Sequence, residues 1–117
     1  MTILYGINNC DTVKKAIKWL NQQNISYTFY DFKKQPLTQA LLTSFTEMNT
    51  WDNMLNKRST TFRNLPEDVK NNLSDSIIFD NVLAQPTLLK RPLLLNNNVL
   101  NIGFNVTMYQ EIFNHEL

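Results

Sequence analysis

Between Thr2 and Tyr30 the chain sets two β-prone runs on either side of one amphipathic stretch, and that order restricts the fold more than any other feature. Thr2 to Tyr5 reads as a strand. From Asp11 to Gln22 the apolar residues Val13, Ala16, Ile17 and Leu20 recur at helical spacing, which predicts a helix with one buried face. Asn21 to Asn24 break it, and Tyr27-Thr28-Phe29-Tyr30 is aromatic and β-prone. Strand, helix and strand in succession make a βαβ unit, which implies parallel pairing through a right-handed crossover.

After Pro36 the periodicity becomes helical. Leu41, Leu42, Phe45 and Met48 suit one helix face, and a shorter piece holds Trp51, Met54 and Leu55. Leu65-Pro66-Glu67-Asp68 reads as a helix start, with proline and acids in the first turn. Asp75 to Leu83 is a further helix, ended before Gln85-Pro86. Strand character returns at Leu93–Leu95 and Val99–Ile102, joined by Asn96-Asn97-Asn98, whose asparagines suit left-handed turn positions and predict a hairpin. Val106 to Phe113 closes the pattern as a helix. The expected fold is therefore α/β with a mixed β-sheet, in the order of a thioredoxin-like core. A helical insertion, over approximately 36–88, separates its βαβ and ββα halves.

At 117 residues and 43% hydrophobic, the chain is expected to be a single domain, spanning 1–117, with its own core. A net charge of +1 leaves no basic footprint for nucleic acid or a membrane surface. No apolar run is long enough to span a bilayer, and Met1 to Tyr5 lacks the basic region of a signal peptide. The single cysteine excludes an internal disulfide, so a reducing, cytoplasmic setting is expected. With one cysteine and one histidine no metal site is expected, and His115 reads as a solvated tail residue.

That cysteine, Cys10, stands where the first strand gives way to the first helix. A helix N-terminus presents free N–H groups and the positive end of its dipole, which stabilise anions. A thiolate there should form at lower pH than usual and be nucleophilic, and the same N–H groups can cradle an oxyanion or carboxylate. The bland alternative, a free cysteine packed as a small hydrophobe, stands beside this reading. Among the arginines, Arg58 precedes the Ser59-Thr60-Thr61 run and Arg91 precedes Pro92 at a strand start. Each offers a planar, permanently charged fork for carboxylates and oxyanions. Arg63 reads as surface solvation. The pattern by itself favours an ordinary trans Arg91-Pro92 bond.

Four stretches together carry a resemblance. They are Leu4 to Ala16 around Cys10, Asn56 to Arg63, Leu89 to Leu94, and Gly103-Phe104. In this order and spacing they resemble the arsenate reductase (ArsC) family, within the ArsC/Spx superfamily, and its YffB-like subgroup in particular. The likeness covers nearly the whole chain. It implies that Cys10 is the nucleophile, that Arg91 supports an anion beside it, and that Arg91-Pro92 is cis. Arg58 is implied as the second arginine, although arsenate reductases proper carry theirs slightly earlier, where this chain has Asn56. Arg58, Lys14, Asn9 and Pro92 are the candidate glutathione-binding residues. Two departures stand out. Arsenate-reducing members have a further arginine where this chain has Phe104, and a histidine where it has Gly6.

The resemblance implies a glutathione-dependent thiol oxidoreductase that binds no resident cofactor and takes glutathione as co-substrate, with glutaredoxin as a further partner. One alternative is arsenate reduction coupled to glutathione and glutaredoxin, against which Gly6 and Phe104 argue. Another is an RNA polymerase-binding regulator of the Spx type. Spx proteins typically carry a Cys-x-x-Cys switch, and this chain has Val13 at the second position.

Overall fold

A computed structural model describes residues 1–114. The chain divides into two compact units: Met1–Gln35 together with the chain from Arg91 onward, and Pro36–Lys90 between them.

The first unit holds β1 (Thr2–Gly6), α1 (Asp11–Gln22), β2 (Thr28–Asp31), β3 (Leu93–Asn96), β4 (Val99–Ile102) and α7 (Val106–Phe113). Its four strands lie in the order β2-β1-β3-β4. β1 pairs in parallel with β2, as the crossover requires, and antiparallel with β3, which forms the hairpin with β4. The sheet is mixed, as expected. The hairpin turn is tighter than the three asparagines suggest. Asn96 pairs with Val99, leaving Asn97 and Asn98 as a two-residue loop at φ 51° and 63°. Positive φ at both central positions matches the right-handed twist of the flanking strands, and asparagine tolerates it. Asn24, at φ 56°, lets the chain leave α1. Leu4, Val13, Ala16, Trp19, Leu20, Leu94, Tyr109 and Phe113 are buried in one cluster, so the sheet, α1 and α7 share a core.

The second unit is helical: α2 (Gln39–Met48), α3 (Trp51–Met54), α4 (Thr60–Arg63), α5 (Glu67–Lys70), α6 (Asp75–Ala84) and a 3₁₀ turn over Pro86–Leu88. The proline-led start at Leu65 yields only the single turn α5, with Pro66 at its N-cap. α4 is absent from the expected pattern. Its apolar content is too small for a periodicity, and Ser59 defines it by accepting the Phe62 N–H at 3.1 Å. Among the described residues no helix is long and apolar enough to cross a membrane. His115 lies outside the described residues.

Candidate functional site

The register of the sheet gathers most of the candidate residues at one end of the first unit. Tyr5, near the end of β1, faces Leu93 at the start of β3, and Leu93 faces Ile102 at the end of β4. The chain leaving β1 toward Cys10, the Arg91-Pro92 segment and Gly103-Phe104 therefore emerge together. A backbone bond from Gly103 N–H to Pro92 O, 2.8 Å, ties two of these segments. Arg91-Pro92 is cis, as the resemblance implies and against the preference of the local pattern. Nothing in a dipeptide distinguishes the two isomers, so only the likeness of the longer stretch could reveal it.

Cys10 occupies the N-cap of α1 in an extended conformation (φ −98°, ψ 126°), and its carbonyl accepts the Lys14 N–H at 2.9 Å. An N-cap serine, threonine or asparagine would turn its side chain back onto the first-turn amides. The Cys10 side chain makes no such bond. It is half-buried and packs against the apolar cluster of the first unit. Asn9 and Lys14 flank it and are exposed. Arg91 is half-buried, with its Nε shut off from solvent, and Pro92 is buried.

The two departures from the arsenate-reducing pattern have physical counterparts. A Cβ built on Gly6 would lie 2.8 Å from Val13 Cγ2, and Val13 is fully buried. β1 and α1 approach so closely that a side chain at position 6 would force Val13 to shift, and the branched, buried Val13 has little room to yield. Phe104 is half-buried and meets the Tyr109 ring edge-on, with centroids 4.7 Å apart. An arginine's place is taken by aromatic packing. Tyr109 is itself fully buried, and burial pushes its phenol well above the usual tyrosine range.

Arg58 belongs to the second unit, just ahead of α4, and is exposed. Its N–H donates to Asn56 Oδ1 at 3.1 Å, so the residue standing at the family's arginine position shapes the turn that carries Arg58. Lys57, Arg58 and Lys90 line one cavity of about 550 Å³ with Asp52. Nothing in the sequence marks the two lysines as site residues except their adjacency to Arg58 and Arg91. Among the described residues no cluster of His, Cys, Asp and Glu could hold a metal ion.

Comparison with known proteins gives this arrangement a lineage. The ArsC family model matches residues 5–112. An uncharacterized protein of Haemophilus influenzae is 45% identical over 97% of this chain and 99% of its own. The global transcriptional regulator Spx of Lactiplantibacillus plantarum is 32% identical over 90% of this chain and 80% of its own. A solved YffB structure superposes with a TM-score of 0.88 at 35% identity, covering 96% of this chain and 98% of that one. The fold is the thioredoxin-like α/β fold of these neighbours, and the chain belongs to the ArsC family.

Proposed function

We propose that the protein is a glutathione-dependent thiol oxidoreductase of the cytoplasm, with Cys10 as nucleophile. The observation that carries this reading is the Cys10 side chain, placed at the N-cap of α1 without a capping bond, at the sheet end that also presents Arg91. A cysteine kept at the head of a twelve-residue helix without serving as its cap is better explained by reactivity than by packing.

In the proposed cycle the Cys10 thiolate attacks a mixed disulfide between a substrate thiol and glutathione. The substrate–glutathione S–S bond breaks, the substrate leaves as a thiolate and takes a proton, and Cys10 carries glutathione. A second glutathione thiolate attacks this adduct, releases glutathione disulfide and restores the Cys10 thiolate. The resolving thiol comes from solution because the chain has no second cysteine. Arg91 steadies the anion at the sulfur, Arg58 binds a glutathione carboxylate, and Asn9, Lys14 and Pro92 complete the contacts. Glutaredoxin is a candidate partner for resolving the adduct.

Incubation with glutathione disulfide, followed by intact-mass measurement, tests the reading. Cys10 should gain one glutathione, and Arg91→Ala should slow both this step and alkylation at pH 7 by about tenfold. A native protein whose thiol resists both reagents would defeat it.

Arsenate reduction is the weaker reading, since Gly6 and Phe104 withhold a polar neighbour and a cation from the pocket. A regulator of the Spx kind takes support from the 32% identity. Val13 stands, buried, where the second thiol of a switch would be, so such a role would have to work without an internal disulfide. Capture of this protein by purified RNA polymerase, unaffected by Cys10→Ala, would favour it.

A further inference from the structure

Three cations, Lys57, Arg58 and Lys90, share a cavity of about 550 Å³ with one carboxylate, Asp52. Among the described residues none of the three is ion-paired. A cleft lined mainly by one sign of charge concentrates ligands of the other sign. The backbone holds this cleft in shape. Asn56 N–H donates to Leu88 O at 2.8 Å and Lys90 N–H donates to Met54 O at 2.7 Å, on either side of an antiparallel bridge between the buried Leu55 and Leu89. Asn56 O takes the Ser59 N–H at 3.2 Å and the Ser59 hydroxyl at 2.8 Å, which fixes the turn bearing Lys57 and Arg58. Little order remains to be imposed on the backbone when a ligand arrives.

Size separates the ligand classes. The volume falls in the range of about 300–1,000 Å³ typical of clefts for whole small molecules, well beyond the needs of one tetrahedral oxyanion. We propose that this cavity binds an extended ligand bearing two carboxylates, with Lys57 and Lys90 joining Arg58 as its anchors. The inference rests on the glutathione reading and narrows it: the tripeptide is held by a cationic cavity in the second unit rather than by a single arginine.

Titration calorimetry with S-methylglutathione, which cannot exchange thiols, tests this at low ionic strength on wild type, Lys57→Ala, Lys90→Ala and the double variant. Each single variant should bind roughly fivefold more weakly, and Lys→Arg replacements at the same positions should retain affinity. Inorganic phosphate should bind wild type at least about tenfold more weakly than S-methylglutathione, having one anionic group to offer. Equal affinity in wild type and double variant overturns the proposal, as does absence of binding by wild type at millimolar ligand, or phosphate binding as tightly as the peptide. Circular dichroism of each variant confirms that the fold is retained. Reactive Cys10 with lysine-independent binding would sink the cavity and leave the thiol reading standing. Lysine-dependent binding with inert Cys10 would do the reverse.

Discussion

The two units are held by different means. In the first, partners come from opposite ends of the sequence: β1 lies against β3, and the Thr2 hydroxyl donates to Asn96 Oδ1 at 2.8 Å. In the second, the helices are fixed by their own neighbours. Thr38, Thr50, Ser59 and Ser74 each sit at an N-cap and accept the N–H of the third helical residue. α7 in the first unit is capped the same way by Asn105. The helix that departs from this habit at the candidate site is α1, where Cys10 takes the capping position without the capping bond. Side-chain capping is common in this chain, α5 with Pro66 at its N-cap being a second exception, and on the reading proposed above α1 forgoes it in favour of a free sulfur.

Cys10→Ser should sharpen that contrast most. Thiol exchange should disappear, a loss of several orders of magnitude, because a serine hydroxyl is not ionised near neutral pH. The same substitution supplies a normal cap, so the thermal midpoint should rise, by an amount corresponding to about 0.5–1 kcal/mol. Activity and unfolding measured on one preparation check both halves. A variant that is less stable than wild type would mean that the Cys10 side chain contributes packing that a serine cap does not replace.

Gly6→His comes next, and it probes the long-range packing of the first unit. It restores the residue type found in arsenate-reducing relatives, yet the new Cβ would meet Val13 Cγ2 at 2.8 Å. Overpacking should cost roughly 2 kcal/mol in chemical denaturation, with little of it recovered by the added imidazole. Gly6→His combined with Val13→Ala should be less destabilised than the two single effects added together, because each variant relieves part of the other's defect.

Position 6 also shows what a sequence can and cannot disclose. The βαβ unit, the hairpin and α7 were legible because period-2 and period-3.6 patterns report which faces are buried. Gly6 looked only like a departure from a family pattern. Its cause, the approach of α1 to β1, is a tertiary distance with no local signature. Cys10 could be singled out as a candidate from its place between a strand and a helix, and Arg91 from its neighbouring proline. Lys57 and Lys90 could not, since surface lysines are common and only the bridge between Leu55 and Leu89 brings these two to one cavity with Arg58. α4 escaped because it is a single turn set by a serine cap rather than by apolar spacing.

Removing a cap from the second unit should have a smaller effect. Ser74 accepts the Ile77 N–H at 3.3 Å at the head of α6, and Ser74→Ala should cost about 1 kcal/mol without altering the reactivity of Cys10. Equilibrium denaturation and an alkylation rate decide it. A change in thiol reactivity would show that the local order of the second unit is felt at the thiol.

The smallest effect at pH 7 belongs to Tyr109, where the long-range packing of the first unit has left a cost behind. The ring is fully buried and meets Trp19 and Phe113 as well as Phe104, while its hydroxyl is buried without a hydrogen-bond partner among the described residues. A buried donor left unsatisfied weakens the native state, so Tyr109→Phe should be neutral to stabilising, by about 0.5 kcal/mol at pH 7. Raising the pH should widen the difference. Burial raises the folded-state phenol above its ordinary value of 10.0, so above that pH the unfolded chain releases a proton that the folded chain retains. Wild type should then lose stability by up to about 1.4 kcal/mol more per pH unit than Tyr109→Phe, while below pH 10 the two should run parallel. Tyr5 is shifted in the same direction, chiefly by burial, and contributes equally to both proteins. Denaturation midpoints at pH 7, 10 and 11 would reveal the divergence, and parallel curves throughout would show that the phenol ionises without unfolding the core.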